Sequence, residues 1–99
     1  MKKVLFLISI ISLSAAAMAG PDGAALYAKC RGCHGADGSK HALGVSPSIK
    51  GQSAADIAKK LNGYKDGTYG GAKKATMTSQ AGKLSADEIK ALADYISKL

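Results

Sequence analysis

The sequence predicts a small all-α domain, three to five short helices wrapped around a bound group. Three observations point there. Three segments combine a helix cap with apolar residues at helical spacing. No segment alternates apolar and polar residues long enough to make a sheet. The apolar inventory is thin, while the glycine-rich connections are long.

The domain does not begin at Met1. Lys2 and Lys3 precede an apolar run from Val4 to Leu13, and Ala17-Met18-Ala19 is a small-x-small cleavage site. Residues 1–19 therefore read as a signal peptide removed after Ala19. The run is shorter than the roughly 20 residues a membrane-spanning helix needs. Export implies a bacterial periplasmic compartment and no membrane span after processing. The mature domain, Gly20 to Leu99, is 80 residues long, and losing two lysines takes the formal charge from +7 to +5.

The first helix is expected from about Gly23 to Cys30, with Asp22 as N-cap after Pro21. The second is expected from about Ala54 to Tyr64 behind Ser53, with Ile57, Leu61 and Tyr64 on one face. The third starts at Ser85. Ser85-Ala86-Asp87-Glu88 is a capping box, and Ile89, Leu92, Ala93, Ile96 and Leu99 form its apolar stripe. Segments 35–38 and 66–71 are turn material.

The core that these helices can build is small. The single Phe, Phe6, belongs to the leader, and there is no Trp. What remains is Tyr27, Tyr64, Tyr69 and Tyr95 with Leu26, Leu43, Val45, Ile49, Ile57, Leu61, Leu84, Ile89, Leu92, Ile96 and Leu99. A domain this small buries only about 60% of its surface and usually needs a metal, disulfides or a cofactor. Two cysteines make no multi-bridge disulfide scaffold.

Cys30-Arg31-Gly32-Cys33-His34 is C-x-x-C-H, the spacing of c-type haem attachment. Two thiols at this separation reach the two vinyl groups of a porphyrin, and the next imidazole serves as proximal iron ligand. A thioredoxin-like redox pair would follow a strand of a βαβ unit, which the sequence lacks. A zinc site needs four ligands, and His41 is the one Cys or His left. A plain Cys30–Cys33 disulfide leaves the adjoining His without a role.

Met77 is the one methionine of the mature chain and the favoured sixth ligand, a soft thioether that raises the potential. A core methionine is the plainer alternative. His41 is the rival ligand, and an open position is the third reading. His41 follows His34 by seven residues, at most about 23–25 Å when fully extended, and a turn intervenes. His41 then reads as an exposed loop histidine.

Segments 30–38, 47–52 and 63–71, followed by Met77 and the helix from Ser85, together resemble the small bacterial class I monohaem cytochromes c of the c-553 type. The resemblance covers nearly all of the mature chain. It implies a class I cytochrome c fold, with the first and last helices crossing through Gly23, Ala24, Leu26, Tyr27, Leu92 and Tyr95. It implies that the Pro47 carbonyl accepts the proton of the proximal imidazole, and turn punctuation is the other reading of Pro47. It places Tyr64 and Tyr69 in the haem pocket or at a propionate, and simple packing is the other reading of both.

A haem ligated by His34 and Met77 leaves no open coordination position, so the expected function is one-electron transfer and not catalysis. A peroxidase or a gas-sensing module would need a displaceable sixth ligand. The expected partners are periplasmic redox enzymes: a dehydrogenase donor, and a reductase or oxidase acceptor with acidic docking faces. Nucleic acid is not expected, and neither is an oligomer. Lys29, Arg31, Lys40, Lys50, Lys73 and Lys74 lie close in sequence to the haem-bearing segments and are the candidates for docking, with a simple solvated face as the other reading.

Overall fold

The computed structural model describes residues 20–44 and 46–99. The expected leader, Met1 to Ala19, and Val45 lie outside the described residues. Every regular element among the described residues is helical. In chain order these are α1 (Gly23–Tyr27), α2 (Arg31–His34), a short 3-10 turn (Ala42–Gly44), α3 (Ala54–Asp66), α4 (Ala75–Gly82) and α5 (Ala86–Ser97).

The caps explain where the helices begin. Asp22 accepts from the Ala24 amide at 3.0 Å. Ser53 Oγ accepts from the Asp56 amide at 3.1 Å. At Ser85 the capping box is complete: the Glu88 amide donates to Ser85 Oγ at 3.1 Å, and Glu88 Oε1 accepts from the Ser85 amide at 2.8 Å. Each such cap is worth about 0.5–2 kcal/mol. α3 runs two residues past the expected Tyr64 and stops at Gly67, whose φ of 82° is a left-handed C-cap.

Two elements differ from expectation. The first helix ends at Tyr27 and not at Cys30, because the Cys30 amide turns back onto the Tyr27 carbonyl at 2.8 Å. A separate single turn, α2, with Cys30 as its N-cap residue, then carries the rest of the C-x-x-C-H motif. α4 has no counterpart among the three helices that the sequence predicts. It has no side-chain cap at Lys74, and it presents half-buried Met77 and Thr78 and fully buried Ala81.

The core gathers Tyr27 from α1, Ile57 and Leu61 from α3, Leu84, and Ile89, Leu92, Ala93 and Ile96 from α5. α5 packs against both α1 and α3, and α3 packs against α4. The α1–α5 contact is close: a Cβ on Gly23 would lie 2.5 Å from the Ala91 carbonyl oxygen. Tyr27 and Tyr95 meet there with ring centroids 5.6 Å apart. Ala24, expected in the same contact, is exposed. Leu43, counted among the core aliphatics, is 60% exposed and has a φ of 55°.

Candidate functional site

The site is built on α2. Cys30 and Cys33 are free thiols, the first half-buried and the second exposed. Burial pushes the Cys30 thiol up, with Lys29 pulling the other way. His34 is 8% exposed, and its amide donates to the Cys30 carbonyl at 3.0 Å. Burial lowers the His34 pKa, which favours the neutral imidazole that a metal ligand needs. Its Nδ1 is buried with no hydrogen-bond partner among the described residues. The expected bond from His34 to the Pro47 carbonyl is therefore not made, and Pro47 itself is exposed.

The loop after α2 folds back through hydrogen bonds. Gly35 closes the turn with a φ of 85°, and its amide donates to the Arg31 carbonyl at 2.8 Å. The Lys40 amide donates to the His34 carbonyl at 3.0 Å. The Gly38 carbonyl accepts from the Ile49 and Lys50 amides at 2.9 and 3.0 Å, which ties the segment after Pro47 to this loop. Asp37 braces the loop: it accepts from the Ser39 hydroxyl at 2.6 Å, the Ser39 amide at 3.1 Å and Lys50 Nζ at 3.3 Å. These bonds, the Ser39 hydroxyl first, hold its carboxyl down at about 2.

Met77 lies on α4, half-buried, and packs against the same core cluster as Cys30. The next residue, Thr78, has a buried hydroxyl with no partner among the described residues. His41, the rival ligand, is exposed, and its Nδ1 lies 2.8 Å from the Ser46 carbonyl. Tyr64 and Tyr69 form an edge-on pair with centroids 5.0 Å apart. Two glycines seat this pair. A Cβ on Gly63 would come within 2.6 Å of Tyr69 Cβ, and one on Gly70 within 2.7 Å of Tyr64 Cε1.

These features fit a covalently held haem better than the other readings of C-x-x-C-H. The two cysteines are not joined to each other. No group of three or more His, Cys, Asp or Glu side chains gathers for a metal ion among the described residues, so the zinc reading has no ligand set. What the turn offers is two thiols and one buried imidazole. No described helix is long and apolar enough to cross a membrane.

Three of the six candidate docking cations already have partners. Lys40 Nζ donates to the Gly32 carbonyl at 3.0 Å, Lys50 pairs with Asp37, and Lys74 Nζ donates to the Gly67 carbonyl at 3.0 Å. All six are exposed.

The family profile described as Cytochrome c matches residues 21–99. The chain is 56% identical over 103 residues to cytochrome c-553 of Nitratidesulfovibrio vulgaris (strain DSM 19637 / Miyazaki F), covering all of both chains. It is 41% identical to cytochrome c-553 of Helicobacter pylori (strain ATCC 700392 / 26695), covering all of this chain and 99% of the other. A third cytochrome c-553, from Desulfomicrobium norvegicum (strain DSM 1741 / NCIMB 8310), is 45% identical over 78% of this chain and 95% of its own.

Proposed function

The chain belongs to the cytochrome c family, and from that premise we propose that it is a periplasmic one-electron carrier in which His34 and Met77 would hold the haem iron. Membership brings one covalent haem c, and Cys30 and Cys33 are its attachment points. The observation that carries the reading is α2 itself: two unpaired thiols and a buried imidazole on one turn, packed on the core that Met77 also contacts.

Haem c, when bound, supplies the redox change. His34 supplies a neutral nitrogen donor, already favoured by burial. Met77 supplies a thioether, whose softness favours ferrous iron and raises the potential. Tyr64, half-buried, and Tyr69, 41% exposed, line the pocket or reach a propionate. In this reading the Pro47 carbonyl would become the acceptor for His34 Nδ1, which has no partner among the described residues, once haem is bound. Residues 1–19 direct export and are removed. The partners are redox enzymes, a dehydrogenase on one side and a reductase or oxidase on the other. Their acidic faces meet the positive surface of a monomeric carrier.

Intact mass of the purified periplasmic protein tests the reading: it should equal residues 20–99 plus one haem. A carbon monoxide difference spectrum of the reduced protein then separates carrier from sensor or peroxidase. No spectral change is expected, and ready carbon monoxide binding would overturn the six-coordinate carrier.

A further inference from the structure

Tyr27 is one of the two largest fully buried side chains, 1% exposed, and it grips the C-x-x-C-H turn at both ends. Its carbonyl accepts from the Cys30 amide at 2.8 Å, at the start of the motif. Its hydroxyl donates to the Gly35 carbonyl at 2.6 Å, one residue past His34. The ring is held by Tyr95 on the other side. A buried tyrosine needs a partner for its hydroxyl, but any nearby carbonyl would serve that need. The partner chosen here is the peptide unit that follows the iron ligand. The other donor to that carbonyl is the Gly38 amide, at a longer 3.4 Å.

We propose that Tyr27 is a positioning residue for His34: by bracketing residues 30–35 from α1, it fixes the backbone that orients the imidazole, and so tunes the iron's electronic state. The inference rests on His34 being an axial ligand. Burial, more than any other cause, raises the Tyr27 pKa, so the donor keeps its proton throughout the working range of pH. Phenylalanine at this position keeps the ring packing and removes the bracket's second arm alone. The Gly35 carbonyl would then retain only the weaker Gly38 contact, and residues 34 and 35 would be free to rotate by a few degrees.

The test compares Tyr27→Phe with Tyr95→Phe in the haem-loaded protein. The second variant removes a hydroxyl from the same aromatic stack but no bond to the turn. Proton NMR of the ferric protein reads the hyperfine-shifted His34 ring resonances, and redox titration reads the midpoint potential. Tyr27→Phe should shift both, and Tyr95→Phe should leave both at wild-type values. A Tyr27→Phe protein that melts earlier but keeps both readouts would overturn the proposal and leave Tyr27 a packing residue. If Tyr27→Phe does not fold, the wild-type protein decides: the Tyr27 hydroxyl proton should be resolved, slow to exchange and close to Gly35, and a fast-exchanging hydroxyl would overturn the assignment. Wild-type spectra without a His34 axial signature would instead overturn the ligand reading, before any variant is compared.

Discussion

Gly23 and Tyr95 approach so closely that a Cβ at position 23 would lie 2.7 Å from Tyr95 Cβ. Nothing in the local backbone of α1 demands glycine there, so the requirement is steric and belongs to the helix crossing. Gly23→Ala should therefore act as overpacking. It should force α1 away from α5 and cost about 1–3 kcal/mol, read by denaturant melts of the haem-loaded protein. A melt within experimental error of wild type would mean that the crossing adjusts freely.

The loop after α2 gives a pH dependence with a defined sign. The Asp37 carboxyl is held at about 2, below its ordinary 3.8. A depressed carboxylate adds stability that is complete above the unfolded value and lost as pH falls through the folded one. Asp37→Asn should thus flatten the part of the stability curve between about pH 4 and pH 2 and leave its upper part parallel to wild type. The effect should be small, because the group is exposed and screened by solvent. Thermal melts across that range check it. An unchanged acid limb would show that the Ser39 and Lys50 contacts do not persist in solution.

The parts legible in the sequence were those whose cause is local. Ser53 and Ser85 announce α3 and α5 because a capping side chain acts within three residues. C-x-x-C-H is legible because one turn carries the thiols and the imidazole. α4 was hidden: Lys74 offers no cap, and its buried face of Met77, Thr78 and Ala81 looks apolar only once packed. The break after Tyr27 was hidden too, since no proline or glycine marks it. Leu43 shows the limit of counting aliphatics, because its exposure follows from a left-handed turn and not from its hydropathy. The contacts of Lys40, Lys50 and Lys74 have no sequence signal, because each partner is set by how the chain folds back. The Tyr27 bond to Gly35 has no sequence signal at all, because it joins two elements across a turn.

The axial ligand is tested by pairing two variants. Met77→Ala should lose the sulfur-to-ferric-haem charge-transfer band and lower the potential, while the haem stays attached through Cys30 and Cys33. His41→Ala should change neither, since that ring is exposed and held by the Ser46 carbonyl. The reverse pattern would exchange the two residues' roles.

The final prediction concerns docking. Under the proposed removal of residues 1–19, and with two ionised propionates and ferric iron, the protein would keep a formal charge of about +4, so encounter with an acidic partner should be steered. Steering should depend on cations free to face the partner. All six candidate cations are exposed, but Lys40, Lys50 and Lys74 hold contacts within the fold, which leaves Lys29, Arg31 and Lys73 to turn toward a partner without breaking one. Carriers must also release, so a small face with long-range attraction suits them better than a durable complex. The second-order rate of electron transfer to an acidic partner should therefore fall as salt shortens the Debye length from about 30 Å to about 10 Å. Lys73→Glu should weaken that dependence, and Lys74→Glu should act in addition by releasing the Gly67 carbonyl. Comparing the two separates steering from structure, because only Lys74→Glu should also lower thermal stability. Stopped-flow kinetics across the salt range decides the matter: a flat profile in wild type and in Lys73→Glu would place docking on an apolar face instead.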